Sequence, residues 1–239
     1  VRQGDYYIVN GTKCFITNGS VAETFVITAM TDKEARTRGI TALIVEKGMA
    51  GFSVGKKENK MGVRGSDTAE LIFQDCKVPV ENRLGEEGQG FKIFLKTLDG
   101  GRISIGAMAL GIAQAALEAS VKYARERKQF GKPIGKFGAI QAMIADMATE
   151  IEAARLLVYD VSIAKDRGED IIKRAAMAKL FASEVAMRAT KNAIQIHGGY
   201  GYMQEYEIER LWRDAKITVI GEGTSEIQRL VIARELLRL

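Results

Sequence analysis

The sequence predicts an α+β protein in which a small antiparallel β domain precedes a C-terminal up-and-down four-helix bundle. Up to about residue 85, short β-rich runs alternate with Gly, Asp and Lys, without helical periodicity between them. After about residue 88, apolar residues recur every three or four positions over long stretches, which is typical of amphipathic helices that pack as a bundle. We therefore predict a β domain at 1–84 and a helical domain at 85–239.

The β domain is predicted from its β-rich runs and from the turn residues between them. Asp5–Asn10 and Cys14–Thr17 flank Gly11-Thr12-Lys13, and this arrangement predicts a β-hairpin with a short Asn-Gly turn. The further β-rich runs are Thr24–Ala29, Ile40–Val45 and Glu70–Phe73. Strands this close together in sequence favour an antiparallel sheet or barrel.

The helical domain is predicted from apolar stripes. Breaks fall near Pro133 and Gly135 and again at Asp166-Arg167-Gly168. A third helical run covers roughly 170–195. The first two stripes consist of Phe94, Leu98, Ile105, Ala109, Ile112 and Ala116, and of Ile140, Ile144, Met147, Ile151, Ala154, Val158 and Val161.

The composition excludes several classes of protein. Of the 239 residues, 46% are hydrophobic and 27% charged, with a net charge of +5, as in a globular chain with a slightly basic surface. No apolar run approaches the ~18 residues of a membrane span, so we predict none. There is no Lys/Arg block among aromatics, so we predict no nucleic-acid partner. Cys14 and Cys76 lack metal-ligand spacing, and we predict reduced thiols and no metal.

The segment around Glu222 is the most informative for chemistry. Gly221 and Gly223 flank this carboxylate, and Ser225 with Gln228 three residues later resembles a capping box that opens a helix at Glu226 or Ile227. Glycines allow a ligand to approach the backbone closely, and a helix N-terminus favours negative charge in that ligand. A catalytic carboxylate and a solvated linker residue both fit this pattern.

Two further clusters are candidates for ligand binding. The cluster Gln195–Tyr202 at the end of the third helical run finishes in alternating Gly and Tyr residues, which suits a backbone pressed against a planar or phosphate-bearing ligand. The charged run Arg125–Pro133 is either a solvated surface or a source of an arginine for pyrophosphate. His197 at a helix end is interpreted as structural.

Five segments together resemble the acyl-CoA dehydrogenase family, and the resemblance covers the whole chain. The third segment is similar to the family's helical Arg-Lys-x-Phe-Gly motif, the fourth to its glycine turn, and the last to the motif that carries its catalytic base. In chain order they are Lys13–Gly19, Lys60–Thr68, Ala124–Lys132, Gln195–Gly201 and Glu222–Arg229. The family has an N-terminal helical domain, a β domain and a C-terminal helical domain, of which this chain resembles the last two.

The resemblance implies FAD as cofactor and assigns roles to individual residues. Glu222 is expected to be the base that removes the substrate's α-proton while the β-hydride leaves to flavin N5. Asp99, Arg102 and Gly223 are expected on the substrate side, and Arg127 at the FAD pyrophosphate of a neighbouring subunit. The other FAD contacts are expected from Phe15, Ile16, Thr17, Gln195, Gly198, Gly199, Thr224 and Ser225.

Three positions depart from patterns common in the family. Some members place the base beside the arginine of the Asp-x-x-Arg segment, where this chain has Gly101, so Glu222 has no rival. Gly221 stands where a tyrosine is common before the base. Gly138 stands where glutamine is usual, and a flavin-side contact is expected to be lost there.

The expected activity is dehydrogenation of a short- or medium-chain acyl-CoA thioester, with electrons passing to an electron-transfer flavoprotein. The resemblance also implies a homotetramer in the bacterial or archaeal cytoplasm, or in the mitochondrial matrix of a eukaryote. Three alternatives remain open: an acyl-CoA oxidase, a glutaryl-type decarboxylating dehydrogenase, and an inactive truncated assembly module.

Overall fold

The computed structural model describes residues 1–238, which form two compact units. One unit contains residues 1–60 and 64–97, and the other contains residues 61–63 together with the chain from Leu98 onwards. The boundary at Thr97 lies later than the division at 84/85 expected from sequence. The first helical turns belong to the β unit because Gly90 lies against its backbone: a Cβ at Gly90 would stand 2.6 Å from Ala42 N.

The first unit contains two antiparallel sheets. The strands are β1 (Arg2–Gln3), β2 (Tyr6–Thr17), β3 (Thr24–Met30), β4 (Ile40–Glu46), β5 (Phe52–Lys57), β6 (Thr68–Pro79) and β7 (Arg83–Leu84). The strand order is β1-β2-β6-β5 in one sheet and β3-β4-β7 in the other.

Alternating residues of both sheets form one core. In β3, Phe25 and Ile27 are buried while Val26 between them is exposed, as the two-residue period of a strand requires. Phe52 packs between Phe25 and Phe73, with ring centroids 5.4 and 5.3 Å apart. An antiparallel β domain is therefore confirmed.

The predicted hairpin in residues 5–17 is wrong. Tyr6–Thr17 is one strand that pairs with β6 throughout, with irregularities between Val9 and Gly11 and between Lys13 and Ile16. Gly11 has φ of +138°, so the glycine makes a bulge in a continuous strand and not a chain reversal.

The second unit is helical, as predicted, and its described part, up to residue 238, contains three long and two short α-helices. They are α1 (Gly90–Glu126), α2 (Gly138–Asp166), α3 (Ile172–His197), α4 (Ile208–Thr218) and α5 (Ser225–Leu237). The α2 stripe from Met147 to Val161 is buried as expected, whereas Phe94 in α1 is exposed. Alanines of α1 and α3 make up much of the core, and small side chains allow helices to approach closely.

The Arg-Lys-x-Phe-Gly motif is not helical throughout, contrary to the prediction. Helix α1 ends at Glu126, and the strands β8 (Lys128–Gln129) and β9 (Lys132–Pro133) form a small hairpin. Its two-residue loop is Phe130-Gly131, both with positive φ, which is the conformation that matches strand twist in a tight hairpin.

Helix α1 is long and apolar enough to cross a membrane by length and composition alone, which is weak evidence for a span. Its residues Ala109, Ala113 and Ala116 are fully buried in the helical core. A core helix of a globular domain passes the same test.

Candidate active site

Glu222 occupies a strained turn between α4 and α5. Its φ is +55°, and that of Gly223 is +91°. The left-handed conformation costs an L-residue about 1–2 kcal/mol, so neighbouring contacts must hold it. Among residues 1–238, no backbone carbonyl accepts a hydrogen bond from the Glu222 N–H. This N–H is therefore available to a ligand.

The carboxylate of Glu222 lies directly against Gly101 of α1. A Cβ built on Gly101 would stand 2.8 Å from Glu222 Cδ and closer still to Oε2. Any side chain at position 101 would displace the carboxylate. The structure thus brings together the two positions at which the family resemblance places a base.

Positive charge surrounds this half-buried carboxylate. Burial raises the pKa of Glu222, while the charges of Arg102 and Lys179 act in the opposite direction. Arg102 is buried, and its Nη1 donates to Asp99 Oδ1 at 2.6 Å. Burial raises the pKa of Asp99 against the opposing effect of Arg102. The Arg102 Nε is buried without a hydrogen-bond partner among residues 1–238.

The helix after Glu222 begins one residue earlier than the capping-box prediction. Thr224 is the N-cap of α5, and its hydroxyl accepts from Ile227 N at 3.4 Å. Gln228 is not part of a capping box: its Nε2 donates to the carbonyls of Glu222 and Gly223, at 3.1 and 3.0 Å. The prediction failed because Ser225 and Thr224 are both good caps, and Ser225 is buried.

A second candidate site is an open pocket of about 430 Å³ beside the end of α3. It is lined by Arg127, Gly198, Gly199 and several aromatic residues. Arg127 makes no ion pair among residues 1–238, and its guanidinium lies 5.5 Å from the centroid of the Tyr200 ring. A Cβ at Gly198 or Gly199 would meet nothing within 4 Å. An uncompensated arginine beside open backbone fits an anionic, planar ligand.

Gln195 is exposed on the last turn of α3 and is not among the residues that line this pocket. His197 is one of the lining residues. It is buried, stacks on Tyr123 with centroids 4.2 Å apart, and its Nδ1 lies 2.8 Å from the Ala193 carbonyl. This packing agrees with the structural role predicted for the histidine.

Phe15, Ile16 and Thr17 lie at the end of β2 in the β unit. Phe15 has φ of +58° and a 74% exposed side chain, while Ile16 packs on the β core and Thr17 is exposed. A left-handed residue within a bulged strand presents its aromatic ring outwards, away from its own core.

Sequence reasoning missed Lys179 and gave Gln228 only a capping role, yet both are fully buried beside the Glu222 turn. Lys179 Nζ donates to Gly223 O at 2.7 Å. Its position, four residues after Ala175 and three before Ala182, puts it on the buried stripe of α3. A charged residue on an otherwise apolar stripe is the feature of the sequence that could have identified Lys179.

Two family comparisons cover most of the chain. The family "Acyl-CoA dehydrogenase, C-terminal domain" matches residues 88–237, and "Acyl-CoA dehydrogenase, middle domain" matches residues 1–76.

Individual relatives are similar over the whole chain. The short-chain-specific acyl-CoA dehydrogenase of Clostridium acetobutylicum is 55% identical over 238 residues, which are 100% of this chain and 63% of the relative. Acryloyl-CoA reductase (NADH) of Anaerotignum propionicum is 56% identical over 99% of this chain and 60% of its own. A chain in the solved structure of the electron transferring flavoprotein of Acidaminococcus fermentans has a TM-score of 0.98 at 59% identity, over 100% of this chain and 63% of that one.

The chain thus spans 63% or less of the length of these relatives. With both domain families matched in order, it belongs to the acyl-CoA dehydrogenase family.

Proposed function

We propose that the protein is an FAD-dependent acyl-CoA dehydrogenase for short- or medium-chain thioesters, with Glu222 as the base for the α-proton. The single observation that carries this is the Glu222 carboxylate held against Gly101 in a left-handed turn. Family membership supplies the reaction class. The Clostridium relative, named as short-chain specific, favours the short end of the substrate range.

The residues of the chain fit FAD as cofactor. Arg127 has no carboxylate partner within residues 1–238, and the open backbone at Gly198 and Gly199 leaves room beside it for a pyrophosphate and an adenosine. The exposed Phe15 offers an aromatic face for a planar ring. We assign Ile16, Thr17, Thr224 and Ser225 to the same cofactor, as the resemblance implies. As the resemblance implies, Arg127, Gly198, Gly199 and Gln195 are assigned together to the FAD of a neighbouring subunit, although Gln195 is exposed and does not line the pocket.

The chain's own residues perform the proton chemistry. A carboxylate whose pKa is raised by burial is a stronger base near neutral pH than a solvated one. The free Glu222 N–H can donate to the thioester oxygen and stabilise the negative charge that forms as the α-proton leaves. We place Asp99 and Arg102 on the substrate side of the carboxylate, with Gly223 beside them. Bound FAD would accept the hydride from the β-carbon.

The test is Glu222→Gln in the full-length, flavin-loaded protein. The amide is nearly isosteric, so flavin and acyl-CoA should still bind, but the rate of flavin bleaching by butyryl-CoA without oxygen should fall roughly 10²- to 10⁴-fold. Glu152→Gln, an exposed glutamate of α2, is the matched control and should bleach at the wild-type rate. Wild-type bleaching in Glu222→Gln would identify another residue as the base.

A second candidate is the reverse reaction, reduction of an α,β-unsaturated acyl-CoA. A relative named as a reductase is as similar to this chain as one named as a dehydrogenase. In reverse, the protonated Glu222 would donate its proton to the α-carbon. Comparing the rates of butyryl-CoA oxidation and crotonyl-CoA reduction in the same preparation decides the preferred direction.

The proposed electron partner is an electron-transfer flavoprotein, because a highly similar chain occurs in a solved structure of such a flavoprotein. Measuring reduction of that partner against peroxide formation separates a dehydrogenase from an oxidase.

We propose a homotetramer without a metal cofactor in the cytoplasm, or in the mitochondrial matrix of a eukaryote.

A further inference from the structure

Lys179 is an unusual residue for the interior of a helical core. Its side chain has no exposed surface, and its neighbours on α3 include the buried Ala175, Ala178 and Ala182. Charged side chains are rarely fully buried without a partner of opposite charge. Yet no carboxylate among residues 1–238 forms an ion pair with Lys179. The buried ammonium group must therefore be stabilised by hydrogen bonds to uncharged groups.

Within residues 1–238, the Lys179 ammonium group donates a single hydrogen bond, to the carbonyl of Gly223 at 2.7 Å. That carbonyl belongs to the residue that follows Glu222 and also accepts from Gln228 Nε2 at 3.0 Å. Two buried side chains thus hold the peptide that closes the left-handed turn. A turn with positive φ at two successive residues persists only where surrounding contacts determine it.

The charges that face this ammonium group come from three elements. Arg102 of α1 repels it, while Glu222 in the turn and Glu226 at the start of α5 attract it. Asp99 neutralises Arg102 through their ion pair. Burial and the charge of Arg102 lower the pKa of Lys179 to about 8, so the group is mainly charged at neutral pH.

We propose that Lys179 is a positioning residue for Glu222: its buried ammonium group holds the Gly223 carbonyl, and this contact fixes the turn that directs the carboxylate against Gly101. The inference rests on the proposed role of Glu222. It also assigns Lys179 an electrostatic effect, because its positive charge favours the ionised form of the Glu222 carboxylate.

A merely structural role makes the opposite prediction for stability. Replacing a buried charge with an apolar residue of similar volume is often neutral or stabilising. Lys179→Met should therefore keep or raise the melting temperature while it lowers activity. A structural lysine would show a lower melting temperature and activity lost only through unfolding.

The first measurement is the titration of the Glu222 carboxyl in the flavin-loaded, full-length protein. Infrared difference spectra between each protein and its Glu222→Gln counterpart isolate this group without relying on turnover. In Lys179→Met the carboxyl should hold its proton to higher pH, by about one pH unit, which is typical for a neighbouring charge. Lys191→Met, an exposed lysine on the same helix, should leave the titration unchanged.

The second measurement is the pH dependence of kcat/KM, which reports groups of the free enzyme. Glu222 acts as a base only when it is deprotonated, so kcat/KM falls on the acidic side of the pH profile. In Lys179→Met this acidic limb of the profile should move to higher pH, and kcat/KM at a pH on the limb should fall about tenfold. Val185→Ala, which removes buried atoms elsewhere on α3, should lower stability without moving the limb. Lys179→Gln is a second variant that keeps a donor but loses the charge, and its limb should move as well.

The outcomes separate this inference from the proposed function. A wild-type titration and limb in Lys179→Met, with Glu222→Gln inactive, would overturn the role of Lys179 alone. Full activity of Glu222→Gln would overturn the base assignment. If neither Lys179→Met nor Lys179→Gln folds and loads flavin, Lys179 is a structural residue and the inference is overturned.

Discussion

The Glu222 turn and the Gly198–Tyr202 segment both follow a helix and both contain glycines, yet their surroundings differ. Around Glu222, a Cβ at Gly101 or Gly223 would collide with Glu222 or with Gln228 Nε2, whereas one at Gly221 would not. In the other segment, a Cβ at Gly198 or Gly199 would meet nothing within 4 Å, and Gly201 is the crowded position, since its Cβ would stand 2.7 Å from the Ile194 carbonyl oxygen.

The polar groups of the two regions differ in the same way. Buried donors from Lys179 and Gln228 hold the Glu222 turn, whereas Arg127 beside Gly198 has no carboxylate partner within residues 1–238. A site that performs chemistry needs its reactive group fixed by its own chain. A site that receives a large ligand has open space and a charged side chain without a partner until the ligand binds.

Of the variants that separate the two regions, Gly101→Ala should show the largest loss of catalytic rate. The added methyl group displaces the Glu222 carboxylate, and a misplacement of about 1 Å costs roughly a hundredfold in rate. Flavin content should stay at the wild-type level.

Gly199→Ala should do the reverse, lowering flavin retention with a smaller change in rate per bound flavin. Bleaching rates and flavin content, measured together, check both variants.

Gly111→Ala is the control for this pair, since a Cβ at that position of α1 meets nothing within 4 Å. It should match the wild type in both measurements. Equal losses of rate in Gly101→Ala and Gly111→Ala would mean that crowding at Gly101 has no role in catalysis.

Arg127→Ala should have the next largest effect, and only on the open pocket. A hydrogen bond to a charged group contributes about 1.5–3 kcal/mol, so FAD should bind roughly 10- to 100-fold more weakly. Arg125→Ala, an exposed arginine two residues earlier, is the control. Equilibrium binding of FAD to the apoprotein provides the measurement, and unchanged affinity in Arg127→Ala would remove this pocket from the proposed cofactor site.

The smallest expected effect is that of His197→Gln on the pH dependence of the melting temperature. Burial lowers the pKa of His197 in the folded protein, against the opposing hydrogen bond to Ala193. As pH falls through the ordinary histidine range, the unfolded chain binds the proton first, so the folded state loses stability. The melting temperature of the wild type should therefore drop more than that of the variant between pH 7 and 5.5, by no more than about 3 °C. A parallel decline in both proteins would contradict this.

Sequence periodicity predicted the fold class and the ends of α2 and α3, because helical stripes and glycine breaks are local signals. It failed where one local pattern has two structural outcomes. Asn10-Gly11 suits a hairpin turn and a bulge equally, and only pairing with the distant β6 decides between them.

The candidate site was predicted only in part. Glu222 and Gly101 were found through the family resemblance, but their contact joins residues far apart in the chain. Lys179 lies on a stripe that sequence reasoning assigns to apolar packing, and its partner is a backbone carbonyl, which leaves no trace in the pattern of side chains.

Removal of the α-proton by Glu222 can be followed by proton exchange at the α-carbon of the substrate. Flavin-loaded protein is incubated with butyryl-CoA in deuterated water, without an electron acceptor, and deuterium at the α-carbon is followed by mass spectrometry. Glu222→Gln should lose α-exchange roughly 10²- to 10⁴-fold while still binding butyryl-CoA, and Glu152→Gln should exchange at the wild-type rate. Wild-type exchange in Glu222→Gln would show that another residue removes the α-proton.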